Sequence, residues 1–389
     1  MTNEGSITAD KINGFVFLET LLCTMIIFFI CTGNTVMSSY AFMGSFLVLL
    51  LFLVGDIANC IWQNRYPNLL AVTIVAFSFF NVLISTAIAN EKISFEYLNQ
   101  YFIFISTILF FGLAEKIKIG RKTVNIIFLF HLIISGIYWY TYIFYPQEYS
   151  EYSLNSLTLN FPNPNLTGMF LFLTVLYMVL AVFYYKRFVT RLFFLIVAIF
   201  DFSLMYKTES RNVLLAFVLF LMLVVVARFR PDNKFPKFVN FVINIAPILF
   251  VPIYLFFINV VIEKGWLDFL VSRGKELDSR VSVWNNFLEK LNGMWLTGNY
   301  AKASGNSHNA HTVILCSFGI VVLILVIAFV YGIIKRISAN SNTKFQSYCI
   351  AAFFAVIFMG FGEGALYSGG LGIYILCGTF LIMANSSVR

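Results

Sequence analysis

The stretch GWLDFLVSRGKELDSRVSVWNNFLEKLNGMWLTGNYAKASGNSHNAHTVILCSFGI, residues 265–320, is the longest polar segment of a chain that is otherwise nearly all apolar. It contains Arg280 and Trp284, and also two of the chain's three histidines, His308 and His311. Apolar runs long enough to cross a membrane precede and follow it. The segment is therefore predicted to be the largest aqueous surface of the protein and the place where functional residues are expected.

The composition predicts an all-α polytopic membrane protein. The 389 residues are 60 % hydrophobic and only 11 % charged, whereas soluble domains have about 25 % charged residues. The net charge of +8 does not indicate a nucleic-acid partner, because most Lys and Arg residues lie in short connections beside apolar runs, where they set orientation. The six cysteines lie in or beside apolar stretches without metal-ligand spacing, so packing roles are expected.

About twelve transmembrane spans are expected in one domain, residues 1–389, because a bilayer core about 30 Å thick needs about 20 apolar residues per helix. Their centres lie near Met25, Val48, Val75, Ile105, Ile133, Leu173, Ile196, Phe220, Pro247, Leu323, Ala355 and Leu376. Basic clusters fall in alternate connections, which predicts that both termini are cytoplasmic. Residues 263–308 then form a large external loop between the ninth and tenth spans.

Apolar residues recur at helical spacing inside this loop, and they are Trp284, Phe287, Leu288, Leu291 and Trp295. The pattern predicts a helix that lies on the membrane surface. The following stretch TGNYAKASGNSHNAH, residues 297–311, is rich in turn formers and leads directly into the tenth span.

Two arginines are candidates for binding an anion. Arg211 opens the eighth span at the outer boundary, and Arg280 begins the surface helix. A guanidinium binds phosphate or pyrophosphate through two parallel hydrogen bonds, which lysine does not do. Either residue could instead be a helix-end arginine that reaches for the headgroups or pairs with an acid such as Glu209. Two arginines on one aqueous side favour the anionic ligand.

The histidines are candidates for proton transfer. His308 and His311 are three residues apart at a helix start, but no third ligand is nearby, so no metal is predicted. His308 is the stronger candidate because it follows a flexible polar string and precedes Asn309, although a capping or packing role is the alternative. His131 is expected to be a buried packing residue. Glu363, between glycines, is either an intramembrane acid or part of a solvated turn.

Four motifs, taken in order, resemble those of the O-antigen ligase and O-antigen or capsular polysaccharide polymerase superfamily. They are FPNPNLTG with Asn163 and Asn165, SRN with Ser210 and Arg211, RVSVW with Arg280 and Trp284, and a turn and helix that carry Gly298, His308, Asn309 and Gly319. The asparagines alone could equally be turn formers.

The resemblance implies a glycosyltransferase that needs neither metal nor cofactor and inverts the anomeric centre. It would act on undecaprenyl-pyrophosphate-linked oligosaccharides at the outer face of a bacterial cytoplasmic (inner) membrane, in the synthesis of lipopolysaccharide, capsule or exopolysaccharide. His308, Arg280 and Arg211 would be catalytic, and the substrate-binding residues would be Arg273, Asn309, Asn163, Asn165 and Trp284. Membrane lipid and a chain-length regulator protein are the expected partners.

The residues and motifs are compatible with three functions. The polymerase is favoured because its acceptor, a lipid-linked repeat unit, is the broader class. An O-antigen ligase, which transfers glycan to the lipid A core, carries the same motifs. A flippase or other transporter would be expected to place charged residues inside the membrane and to show related halves, and neither feature is evident in the sequence.

Overall fold

The computed structural model describes residues 12–62, 68–89, 95–145, 156–232, 234–263, 275–303, 308–363, 367 and 373–386. Among them all regular structure is helical, so the all-α prediction is confirmed. The helices are α1 (Gly14–Cys31), α2 (Thr35–Trp62), α3 (Leu69–Ala89), α4 (Phe95–Ala114), α5 (Arg121–Phe144), α6 (Pro164–Tyr184), α7 (Phe188–Lys207), α8 (Arg211–Phe229), α9 (Lys237–Glu263), α10 (Lys275–Leu291), α11 (Tyr300–Ala303), α12 (Ala310–Ala339), α13 (Lys344–Met359) and α14 (Ile373–Asn385).

The structure has the helices of a polytopic membrane protein. In the part of the chain that it describes, eight helices are long and apolar enough to cross a membrane. Helix α9 bends by 60° between Ala246 and Ile248, at Pro247, which has no N–H for the helical ladder. Helices α4, α13 and α14 are shorter but apolar. Every predicted span centre therefore lies in a helix, while the number of crossings stays a prediction.

The centre of the bundle is formed by α6, α13 and α14. These helices are buried along almost their whole length, which is expected for helices that are apolar on all sides. Tyr177 of α6 lies between His131, 3.5 Å between ring centroids, and Phe380, at 4.3 Å. His131 is buried, as predicted. Helices α2, α7 and α8 expose apolar side chains outward, which is typical of helices that face lipid.

The basic connections meet at one end of the bundle, called the basic end below and defined by the start of α5 and by the residues that join α4 to α5, α8 to α9 and α12 to α13. Lys116 Nζ lies 2.6 Å from the Asp56 carboxylate. Lys344 Nζ donates to Ala227 O at 3.0 Å. The Arg336 guanidinium donates to the Glu115 carboxylate, so connections distant in sequence share one face.

The opposite end, called the polar end, is formed by the connections that precede α2, α6, α8, α12 and α14. Asn160 donates to Cys31 O at 2.7 Å, which joins the α5–α6 connection to the end of α1. Leu157 N donates to Lys207 O at 3.0 Å, which joins the same connection to the end of α7. Asn163, predicted to bind substrate, caps α6 at this end.

Two carboxyl groups lie in the interior of the bundle, so the sequence-based expectation of spans without buried charges is wrong. Glu19 of α1 is fully buried, and its carboxylate accepts from Ser45 Oγ at 2.7 Å. Asp201 of α7 is also fully buried, and its Oδ1 accepts from Ser135 Oγ at 2.7 Å and Trp139 Nε1 at 3.2 Å. Hydropathy averages over a window do not detect single acids of this kind.

Candidate functional site

Helix α12 is broken near its start, and the backbone carbonyls freed by the break accept hydrogen bonds from other parts of the chain. Gly319 has φ 82° and ψ 172°, outside the helical region. The carbonyl of Cys316 accepts from Asn299 N at 2.8 Å. The carbonyl of Phe318 accepts from Asn81 Nδ2 of α3 at 2.6 Å. Because buried carbonyls need donors, these contacts make the break a stable feature that separates a short first segment, residues 310–318, from the rest of α12.

Gly298 and Gly319 meet at this break, and neither position has room for a side chain. Both have positive φ, 72° and 82°. A Cβ on Gly298 would lie 2.6 Å from Phe318 N, and one on Gly319 would overlap the carbonyl of Leu296. Ile320 N also donates to Trp295 O at 2.8 Å. The turn after α10 is thereby held against the first segment of α12, and the two glycines of the fourth motif are in contact.

Helix α10 has the amphipathic pattern that the sequence predicts. The indole of Trp284 is fully buried and packs edge-on against Tyr254 of α9, 5.3 Å between centroids. Phe287 is buried beside Cys316 of α12. Asn285 on the same helix is exposed. Trp284, predicted to bind substrate, therefore makes a packing contact that fixes α10 against the bundle.

The helix ends earlier than the apolar repeat suggests. Asn292 and Gly293 have positive φ, 46° and 76°, which ends the helix at Leu291. Trp295 lies beyond this end and is half-exposed. Its inclusion in the surface helix is therefore wrong, because a left-handed pair of residues at 292 and 293 reverses the chain before the next turn could form.

Asn309 organises the start of α12. It is buried, and its Oδ1 accepts from His311 N at 3.1 Å and Thr312 N at 2.9 Å. This is the ordinary N-cap arrangement, in which a side-chain oxygen binds the free N–H groups of the first turn. The preceding residue, His308, has φ 53°, which is uncommon for a residue with a side chain. The cap therefore fixes the start of the helix directly after His308.

The end of α13 is attached to the start of α12. Ala310 N donates to Gly360 O at 2.9 Å, and Asn309 Nδ2 donates to Phe361 O at 3.1 Å. Two residues further on, Glu363 is buried, and its Oε2 lies 3.8 Å from His308 Nδ1. Its other oxygen, Oε1, has no hydrogen-bond partner among the described residues. A buried carboxylate thus faces the candidate histidine.

The start of α8 is also attached to the segment at the end of α13, residues 359–363. Asn212 Nδ2 donates to Met359 O at 2.6 Å. Its neighbour Arg211 is the first residue of α8 and is exposed. Because residues 359–363 also bind the start of α12, the chain neighbours of both Arg211 and His308 are attached to one short segment.

The first turn of α6 completes the polar end. Asn163 caps this helix, since its Oδ1 accepts from Leu166 N at 2.8 Å. Thr167 Oγ1 donates to Thr158 O at 2.6 Å, which holds the preceding turn in place. Asn165, in the first turn, is half-buried. The packing of Gly168 against Thr208 connects this turn to the start of α8.

The structure thus places most of the predicted site residues at one end. Arg280 belongs to α10, but its side chain lies outside the described residues, as does the whole of Arg273. In the sequence Glu363 is an acid between glycines without a role in the predicted site. The signal available for it was an acid at a span boundary, since ionisable residues at membrane depth are expected to have a function.

Among the described residues, no group of three or more His, Cys, Asp and Glu side chains could hold a metal ion.

A cavity of about 320 Å³ lies at the basic end, where Glu115, Lys118 and Arg336 contribute to its lining. It lies at the other end of α12 from His308, and none of the predicted site residues lines it.

No protein-family model, curated protein or solved structure matches the chain. The resemblance of the four motifs therefore stays a prediction, and the geometry of the polar end is the independent observation beside it.

Proposed function

We propose that the chain is a membrane glycosyltransferase that joins undecaprenyl-pyrophosphate-linked repeat units into a polysaccharide. The observation that carries the proposal is the attachment of two helix starts to residues 359–363. Asn212 and Asn309, the chain neighbours of Arg211 and His308, both bind this segment, which supports a shared site for the two side chains. An arginine can bind the charge of a leaving pyrophosphate and a histidine can accept the hydroxyl proton of the acceptor.

The reaction has a simple balance. A sugar hydroxyl of the acceptor attacks the anomeric carbon of the donor glycan, and the bond from that carbon to the pyrophosphate oxygen breaks. The proton of the hydroxyl passes to His308 as general base, and the pyrophosphate leaves with the electron pair. Arg211 and Arg280 bind the pyrophosphate charge, with Arg273 as a weaker third contact. Attack from the opposite face inverts the anomeric centre.

The proposed topology has about twelve crossings, cytoplasmic termini and an external loop of residues 263–308, in the cytoplasmic membrane of a bacterium. Its support is the collection of basic connections at one end of the bundle, which by the positive-inside rule is the cytoplasmic end. The polar end then faces outward, where lipid-linked repeat units are polymerised. Exposed apolar faces of the helices would hold the polyprenyl tail.

The acceptor distinguishes the polymerase from the ligase. A repeat unit on its lipid carrier makes the chain a polymerase, for which a chain-length regulator protein is the expected partner. Lipid A core as acceptor makes it a ligase. Loss of a polymerase leaves single repeat units on the lipid, whereas loss of a ligase leaves long lipid-linked polymer.

The test is substitution of Arg211 and His308 in the intact membrane protein. We expect His308→Ala to reduce polymer formation by about 100-fold or more, the scale of general base catalysis. Arg211→Ala should have a comparable effect, and Arg211→Lys should recover only part of the activity because lysine lacks the planar fork. Arg187→Ala, an exposed arginine at the start of α7, is the control. Normal long chains from both site variants would refute the assignment.

A proton-coupled transporter is a second candidate, favoured by the two buried acids Glu19 and Asp201. Under this alternative, Glu19→Gln and Asp201→Asn would block export and leave lipid-linked repeat units on the inner face. Under the glycosyltransferase proposal these variants keep polymerising, and His308→Ala accumulates repeat units on the outer face. Labelling of the glycan in sealed, oriented vesicles separates the two results.

A further inference from the structure

We propose that Glu363 is a positioning residue that fixes the imidazole of His308 with its Nδ1 proton toward the buried carboxylate and its Nε2 toward the substrate. The inference rests on the proposed function for the identity of the reaction, but the pairing itself can be measured separately. Nothing in the sequence motifs assigns a role to Glu363.

The pair is buried at one side and open at the other. The Glu363 side chain is only 3 % exposed, whereas that of His308 is 34 % exposed. The imidazole therefore lies between the carboxylate and the solvent of the polar end. The Nδ1 to Oε2 distance of 3.8 Å is that of an ion pair rather than of a direct hydrogen bond. Such contacts commonly shorten when substrate binds.

The surroundings of Glu363 leave the histidine as its ionic partner. A buried carboxylate is unfavourable unless it is paired or hydrogen-bonded. Among the described residues, the imidazole of His308 is the one basic group within ion-pair distance of it. Its second oxygen, Oε1, is buried and has no hydrogen-bond partner there.

The two residues are held in register by the backbone around them. Ala310 and Asn309, which follow His308, bind the carbonyls of Gly360 and Phe361. A Cβ on Gly360 would lie 3.1 Å from the Ala310 side chain, so the two chain segments are already in contact. Residues 308 and 363 therefore cannot shift independently by more than small amounts.

The arrangement suits a histidine base. A neutral imidazole accepts a proton at one nitrogen only when the other carries the hydrogen, and the group bound to that hydrogen decides which nitrogen is free. A carboxylate beside Nδ1 selects the tautomer with Nε2 free. It also stabilises the imidazolium that forms when Nε2 takes the hydroxyl proton of the acceptor. Glu363 does not itself exchange a proton with substrate.

Two substitutions separate the parts of this role. Glu363→Gln keeps an oxygen that accepts the Nδ1 hydrogen but removes the charge, and Glu363→Met removes both while filling a similar volume. The tautomer of His308 is read from the nitrogen NMR spectrum of histidine-labelled protein, in which His308→Ala identifies the signal. Turnover is followed with a lipid-linked repeat unit. The matched control is Glu115→Gln at the basic end.

We expect the Nδ1-protonated tautomer to persist in Glu363→Gln and to be lost in Glu363→Met. We expect kcat to fall at least 10-fold in Glu363→Gln and about 100-fold or more in Glu363→Met, with KM nearly unchanged. An unchanged tautomer together with an unchanged kcat in Glu363→Met would overturn the inference.

Failure of the proposed function gives a different result. If wild-type protein joins no repeat units but Glu363→Met still alters the His308 tautomer, the pairing stands and the reaction is a different one. Should neither Glu363 variant reach the membrane, Glu363→Asp replaces them, because a side chain one methylene shorter draws the carboxylate away from His308 Nδ1. A His308 tautomer and a kcat identical to wild type in a folded Glu363→Asp protein would also overturn the inference.

Discussion

Substitution of Gly319 by Ala tests the helix break on which the polar end depends. At φ 82° and ψ 172° the residue occupies a backbone region that is nearly exclusive to glycine, and any other residue there costs about 1–3 kcal/mol. The new Cβ would also overlap the carbonyl of Leu296. Relief of that overlap requires the turn at residues 294–299 to move off α12.

This movement breaks two backbone hydrogen bonds, from Asn299 N to Cys316 O and from Ile320 N to Trp295 O, each 2.8 Å. Each contributes about 0.5–1.5 kcal/mol net. Together with the backbone strain, we expect the free energy of unfolding of Gly319→Ala to fall by about 2–6 kcal/mol. The measurement is reversible unfolding of the purified protein in mixed micelles.

Substitutions at two further glycines separate the cost of the backbone conformation from the cost of the lost contact at the break. Gly33 also has positive φ, 76°, but a Cβ there would meet nothing within 4 Å, so Gly33→Ala should lose only the conformational cost of about 1–2 kcal/mol. Gly136 lies in the interior of α5 with open space around it, and Gly136→Ala should be neutral or up to about 1 kcal/mol more stable. If Gly319→Ala is no less stable than Gly33→Ala, the contact between the turn and α12 does not contribute to the free energy of unfolding, and the reasoning is refuted.

The contacts of Asn81, Trp284 and Asp232 predict the effects of three further substitutions. Asn81→Ala leaves the carbonyl of Phe318 without its donor and should reduce the free energy of unfolding by about 1–3 kcal/mol, whereas unchanged micelle unfolding would contradict that contact. Trp284→Ala removes a fully buried indole and should lower the free energy of unfolding by about 3–5 kcal/mol. Limited proteolysis should then cleave around α10 first, and resistance equal to wild type would refute this prediction. The hydrogen bond from Arg230 lowers the pKa of Asp232, so any stabilisation by this pair is present at neutral pH and is lost as the pH falls. Because both side chains are exposed, the pair should contribute little, and Asp232→Asn should unfold like wild type at every pH.

Much of the fold could be predicted from local sequence. The span centres follow from apolar length, and the face of α10 that buries Trp284 and Phe287 follows from helical spacing. Such features depend only on residues within one helix and on the preference of apolar side chains for lipid or protein interior. The apolar repeat places the end of α10 too late because it continues to Trp295, whereas the backbone becomes left-handed at Asn292 and Gly293.

The candidate site was predicted in its residue types but not in its assembly. Arg211 and His308 could be selected as an anion-binding and a proton-accepting residue from their chemistry. That the chain neighbours of both bind residues 359–363 depends on hydrogen bonds between α8, α12 and the end of α13, which no local pattern encodes. Asn163 and Asn309, predicted to bind substrate, also cap α6 and α12. These caps are local, because each side-chain oxygen binds N–H groups only two or three residues further along the chain.

The sequence by itself determined a membrane protein of many helices, one amphipathic helix in a polar loop, and a set of arginine and histidine candidates. Hydropathy and helical period are local properties, so these conclusions needed no packing. Only the tertiary structure decided that Gly298 contacts Gly319, that Glu19 and Asp201 are buried inside the bundle, and that Glu363 faces His308. Each of these depends on which helices become neighbours, because a polar group is satisfied by whatever lies beside it in space.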